Sequence, residues 1–211
     1  MDYSKIELII SDHSGVISDD KRPVYEANRR ILKRYGMPCP KYQEFFRTTK
    51  RDIVEFLDEH GINLEKEEIM KMYEDYYHQA NQDGFNPSIY PGVVNCIRYL
   101  RKKGIKIAIV SSHPSSAVVK ELESYNISNH IYPVIASSWN KAVGLERAIS
   151  LNKKNKDKVV YVGDTIFDLM FAREVGISFV GVTSGYHSKE MLEKENPDDL
   201  LETFFELKRK F

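Results

Sequence analysis

Apolar residues along the chain follow two alternating rhythms. Five short runs, at about 6–11, 105–110, 132–136, 158–162 and 178–182, are rich in Ile and Val and lack clean polar alternation. Such runs suit strands buried on both faces, as in a parallel sheet. From the second run onward they alternate with segments at 92–103, 115–125, 141–151, 165–175 and 198–209, whose apolar residues recur at i, i+3 and i+4. That spacing predicts helices, and Gly104 and Gly176 sit just past two of their ends. Strands alternating with helices predict an α/β fold, a doubly wound parallel sheet with helices on both faces.

The first run breaks the rhythm, because about ninety residues separate it from the second. Helical spacing fills the interval at about 22–35, 40–47, 50–59 and 65–82, with no strand pattern between. A small all-helical insertion, residues 19–85, is therefore expected inside a sheet domain made of residues 1–18 and 86–211. Ser18-Asp19-Asp20 and the stretch from Asp83-Gly84-Phe85-Asn86-Pro87 to Pro91-Gly92 are its expected linkers.

Composition narrows the functional classes. The chain has 211 residues, 42% of them hydrophobic, enough for a sizeable core. Its 31 basic and 31 acidic side chains cancel, so no global field draws it to nucleic acid or to an anionic membrane. Attraction for an anionic ligand has to be local. Cys39 and Cys96 are far apart and lack metal-ligand spacing, which argues against a zinc site and makes a reducing, cytoplasmic setting the simplest expectation. No run reaches membrane-spanning length, and MDYSKIELII lacks a signal-peptide pattern. A monomer or homodimer acting on a small molecule is expected.

Ligands of open parallel sheets bind beyond the carboxyl ends of the strands. The first run ends at Asp12, the second at Ser111-Ser112, and the fourth at Gly163-Asp164 with Asp168 four residues on; Lys141 opens the helix after the third. Three carboxylates, a hydroxyl and an ammonium are thus expected on one edge. Crowded carboxylates repel unless a cation joins them, and hard oxygen ligands suit Mg2+ together with phosphate.

These residues resemble the motifs of the haloacid dehalogenase superfamily, in its capped branch of phosphoglycolate phosphatases and beta-phosphoglucomutases. Asp12-His13-Ser14-Gly15 is similar to the first motif, Asp-x-Asp-Gly; Ser111 and Lys141 correspond to the second and third; Gly163, Asp164 and Asp168 match the fourth. The resemblance implies a Rossmann-like core with a helical cap and an Mg2+-dependent hydrolase of a small phosphorylated metabolite. It further implies that Asp12 is the nucleophile, that Ser111 and Lys141 hold the phosphoryl group, and that Asp12, Asp164 and the main-chain carbonyl of Ser14 bind the metal. Asp168 would bind the metal or orient its water ligands.

Ser14 departs from the pattern. The family's second aspartate protonates the leaving group and then activates water, and a serine hydroxyl does neither near neutral pH. Three expectations remain open: slow hydrolysis or a preference for activated leaving groups; carbon–phosphorus cleavage like that of phosphonoacetaldehyde hydrolase, using Lys50 beside Arg51; or a weak or inactive binding protein. Arg47, Lys50 and Arg51 sit at the start of an expected insertion helix, where they are candidate contacts for an anionic substrate, although a charged helix start is most often a solvated face. His13 and His113 read as solvated or spacer residues; Trp139, Tyr73, Tyr76 and Tyr77 read as packing.

Overall fold

The computed structural model describes residues 1–48 and 52–211, which form two compact units. The larger unit comprises Met1–Asp19 and Ile89–Phe211; the smaller comprises Asp20–Ser88.

The larger unit is built on a six-stranded sheet of order β5-β4-β1-β6-β7-β8. The strands are β1 (Leu8–Ser11), β4 (Lys106–Val110), β5 (Val134–Ile135), β6 (Val159–Gly163), β7 (Ser178–Val182) and β8 (Asp199–Leu201). Two-residue strands, β2 (Ser18–Asp19) and β3 (Ser88–Ile89), lie where the chain leaves and re-enters this unit. Every pairing in the large sheet is parallel. The chain runs outward from β1 through β4 to β5, then returns to β6 on the other side of β1 and runs outward again. The order reverses between β1 and β6, the place where doubly wound sheets open a crevice.

Successive side chains of a strand point to opposite faces, which explains the missing polar alternation. Ile9, Ile107, Ile109, Val160, Val162, Val180 and Val182 enter one apolar cluster, beside Cys96, Ile97 and Leu100 of α5 (Val93–Lys102) and Val118 and Leu122 of α6 (Ser115–Ser124). Leu8, Ile10, Ala108, Val110, Tyr161 and Phe179 enter the other, beside Leu145 and Ile149 of α7 (Lys141–Asn152) and Leu169 and Ala172 of α8 (Ile166–Val175). Both faces of the sheet are therefore dry, and only strand ends remain for polar chemistry.

Helices make up the smaller unit: α1 (Lys21–Arg34), α2 (Tyr42–Arg47), α3 (Ile53–Glu59) and α4 (Lys66–Gln82). α1 packs on α4, burying Ala27, Ile31 and Leu32 of the first and Ile69, Met72, Tyr73 and Tyr77 of the second. Phe45 meets Tyr25, Phe46 and Phe56 edge-on, with centroids 5.0 to 5.5 Å apart. This is a geometry that aromatic quadrupoles favour. Tyr73 and Tyr77 thus serve packing, as their spacing suggested.

Three expectations are corrected. The segment 198–209 is not one helix but β8 followed by a 3-10 helix, Phe204–Arg209. The 3-10 helix buries Phe204 and Leu207, three positions apart as its period requires, and Asp198 accepts the Phe179 N–H at 2.8 Å beside the new sheet edge. A short helix α9 (Lys189–Lys194), capped by Ser188, escaped the periodicity because only Leu192 is buried. His13 and His113 are not solvated but buried. Among the described residues, no helix is long and apolar enough to cross a membrane.

Candidate active site

Asp12 leaves the end of β1 at the switch point, and its N–H still donates to Val162 of β6 at 2.8 Å. The side chain is buried. Its Oδ1 accepts the His13 N–H at 2.6 Å, and its Oδ2 accepts Lys141 Nζ at 2.6 Å. Lys141 is the first residue of α7, and the Asn140 side chain caps that helix through the Ala142 and Val143 N–H groups. A cation is unfavourable at a helix N-terminus by about 0.3–1 kcal/mol, so its partners have to offset this. Gly144 permits the approach: a Cβ there would lie 2.7 Å from Val110 of β4 and 2.6 Å from Ser138 Oγ.

Lys141 also donates to Asp168 Oδ1 at 2.7 Å, an oxygen that accepts the Tyr161 hydroxyl at 2.8 Å. Asp168 Oδ2 accepts the Thr165 N–H at 3.1 Å and the Thr165 hydroxyl at 2.7 Å. Thr165 and Asp168 together form a capping box at the start of α8. Four donors therefore occupy the roughly four lone-pair positions of the Asp168 carboxylate. Asp164 is not the helix cap; it precedes the cap, and its Oδ2 accepts the Tyr186 N–H at 2.7 Å.

Glycine makes room for Asp164. A Cβ on Gly15 or Gly185 would lie 2.1 or 2.0 Å from Asp164 Oδ2, and Gly15 also has φ +74°. Asp12, Asp164 and Asp168 each offer an oxygen within 4.8 Å of the others. Burial raises the Asp12 pKa despite the opposing Lys141 charge. Burial, reinforced by the Asp168 and Asp12 charges, pushes Asp164 well above the usual carboxylate range. Asp168 is lowered although burial opposes it, because the Lys141 charge and hydrogen bond prevail, with help from Thr165 and Tyr161. Lys141 is likewise held above its ordinary value against burial by its two carboxylate partners. Three buried carboxylates against one ammonium leave a local excess of negative charge, which a divalent cation would relieve. The all-oxygen donor set, with Asp164 seated against Gly15 and Gly185, fits magnesium.

The remaining expected residues are placed less directly. Ser111 follows β4, the neighbour of β1, and its buried Oγ accepts the His113 N–H at 3.3 Å. Ser112, beside it, is half-buried. Ser14 Oγ is buried and has no hydrogen-bond partner among the described residues. Lys50 and Arg51 lie outside the described residues. Sequence reasoning missed Tyr161 and Thr165, which hold Asp168, and Glu121, which binds His13. Glu121 did leave a signal: with Val118 and Leu122 it occupies i, i+3 and i+4 positions on the buried face of α6, where a charge is out of place.

Fold and site together define a class: a doubly wound α/β protein whose carboxylate and lysine centre sits at the sheet's switch point. The chain belongs to the haloacid dehalogenase-like hydrolase family, whose sequence model matches residues 9–182. It is 25% identical over 144 residues to a phosphoglycolate phosphatase of Salmonella typhi, an alignment covering 66% of this chain and 56% of that protein. With a phosphoglycolate phosphatase of Pseudomonas putida it shares 24% identity over 212 residues, 92% of this chain and 76% of the relative. The chain thus spans little more than half the length of the first relative and about three quarters of the second. Among solved structures, a haloacid dehalogenase-like hydrolase from Bacteroides fragilis superposes with a TM-score of 0.84 at 22% identity, covering 96% of this chain and 99% of that one.

Proposed function

We propose that the protein is a magnesium-dependent phosphatase of a small phosphorylated metabolite, working through an aspartyl-phosphate on Asp12. The observation that carries this reading is the buried Asp12 carboxylate, paired with Lys141 at 2.6 Å and clustered with Asp164 and Asp168. Asp12 Oδ attacks phosphorus, the bond to the leaving oxygen breaks, and water then attacks the phosphorus of the acyl phosphate, regenerating the carboxylate. Lys141 holds Asp12 ionised and neutralises the transferring oxygens, while the Ser111 hydroxyl donates to one of them. Magnesium, held by Asp12, Asp164 and the Ser14 carbonyl, would supply the remaining charge neutralisation. Asp168, its lone pairs already engaged by Lys141, Tyr161 and Thr165, orients Lys141. The helical unit, residues 19–85 in the sequence, is assigned the role of a cap that selects the rest of the substrate.

Ser14 governs which substrates turn over. A positioned acid/base group contributes about 10²- to 10⁴-fold, and the Ser14 hydroxyl does not supply it. Leaving groups that depart without a proton, such as acyl or aryl phosphates, are therefore favoured over sugar or glycolate phosphates.

The test is a screen of acetyl phosphate, p-nitrophenyl phosphate, phosphoglycolate and sugar phosphates, with and without magnesium, on the wild type and Asp12→Asn. Magnesium-dependent turnover that Asp12→Asn abolishes in a folded protein is expected. Retained turnover in a pure Asp12→Asn sample would overturn the nucleophile assignment.

A further inference from the structure

A second buried polar cluster adjoins the Asp12 loop. His13 Nε2 lies 2.9 Å from Glu121 Oε2 of α6, and both side chains are buried. The same Glu121 oxygen accepts the Ser18 hydroxyl at 2.6 Å and the Tyr125 hydroxyl at 3.4 Å. Burial works to raise the Glu121 pKa, but the His13 hydrogen bond and charge, aided by His113 and Ser18, bring it down to about 2. An ionised Glu121 only accepts, so the proton in this bond belongs to His13 Nε2.

The main chain ties this cluster to the nucleophile. The His13 N–H donates to Asp12 Oδ1 at 2.6 Å. The His13 carbonyl accepts the N–H groups of Ile17 and Ser18, both at 2.9 Å, and the Ser18 carbonyl accepts the Gly15 N–H at 2.8 Å. Residues 13 to 18 therefore form one closed turn, and Glu121 holds both ends of it, His13 by the ring and Ser18 by the hydroxyl. Burying a carboxylate is expensive, and apolar residues of equal volume often serve stability as well or better. What apolar residues do not provide is a fixed direction.

We propose that His13 and Glu121 are positioning residues: the α6 carboxylate clamps the 13–18 turn and so fixes the His13 N–H that holds the Asp12 carboxylate for attack. The inference rests on the reading of Asp12 as nucleophile. It also assigns His13 a role other than the missing acid/base group, because its ring is committed to Glu121.

The test compares His13→Leu, which removes the donor, with His13→Gln, which keeps an N–H near the position of Nε2, and with Glu121→Gln. With the best substrate of the screen, His13→Leu should lower kcat about ten- to a hundredfold while KM stays within about twofold, since small misplacements of a reacting group cost that much. His13→Gln should regain most of the loss, and Glu121→Gln should fall between. In parallel, amide hydrogen exchange at residue 13, read by NMR, should accelerate at least about tenfold in His13→Leu and recover in His13→Gln. A lower melting temperature with unchanged kcat and unchanged exchange would mean a purely structural pair and would overturn the proposal. If His13→Leu fails to fold, His13→Gln against Glu121→Gln decides: equal, wild-type kcat in both overturns it. If the wild type turns over no phosphate compound, the phosphatase reading falls alone, and the exchange rates decide the positioning claim in either direction.

Discussion

Lys141 Nζ sits 2.6 Å from Asp12 Oδ2, joining residues 129 positions apart in the sequence. Both side chains are buried, and the same ammonium reaches Asp168 at 2.7 Å. One cation thereby compensates two buried carboxylates.

Removing that cation should be costly. Lys141→Met leaves Asp12 and Asp168 buried against each other, and breaking a buried pair by deleting one partner costs about 3–5 kcal/mol. Urea denaturation checks this. A loss below about 1 kcal/mol would mean that the carboxylates are relieved in some other way.

Ser14→Asp should restore a carboxyl group beside the leaving oxygen. Poor leaving groups such as phosphoglycolate should gain at least about tenfold in kcat, against a ceiling of about 10²- to 10⁴-fold, and activated aryl phosphates should gain less. Steady-state rates on both substrate classes provide the comparison. An equal or lower rate for the poor leaving group, in a folded variant that binds magnesium, would show that Ser14 serves different chemistry.

Gly185→Ala places a methyl group 2.0 Å from Asp164 Oδ2 without asking for an unusual φ. The carboxylate must move, and magnesium affinity measured by calorimetry should fall about 10- to 100-fold, the range seen when a ligand's support is disturbed. Unchanged affinity would remove Asp164 from the ligand set.

His113 should contribute to acid sensitivity. Burial, with a smaller push from His13 and against a pull from Glu121, lowers its pKa from 6.5 to about 4. The unfolded chain therefore takes up a proton at higher pH than the folded one. Stability from neutral His113 is full above about pH 6.5 and is lost as pH falls through about 4, by roughly 3 kcal/mol in all. His113→Phe should flatten the stability profile across that window. Denaturation curves of equal slope for the two proteins would contradict neutral burial.

Much of the fold was legible because it rests on local rules. The strands showed as apolar runs since both faces of the sheet are covered, so every residue of β1, β6 and all but the first of β4 and β7 is buried. Gly176 closed α8 as expected, with φ +75°. The segment 198–209 was misread because spacings of three and of 3.6 are hard to separate over so few residues, and only the free edge of β7 decides that Asp199–Leu201 becomes a strand.

By itself the sequence determined which residues stand at strand ends, since a carboxylate directly after an apolar run has nowhere to go but the sheet's edge. It thereby brought Asp12, Ser111, Lys141, Asp164 and Asp168 forward as one set. Tertiary structure alone decided how those groups share charge: that Asp168 spends all its lone pairs on Lys141, Tyr161 and Thr165, that Gly15 and Gly185 shape the space around Asp164, and that Glu121 clamps the turn beginning at His13. Hydrogen bonds and pKa shifts depend on distances of a few ångströms between segments a hundred residues apart, and no local pattern encodes such distances.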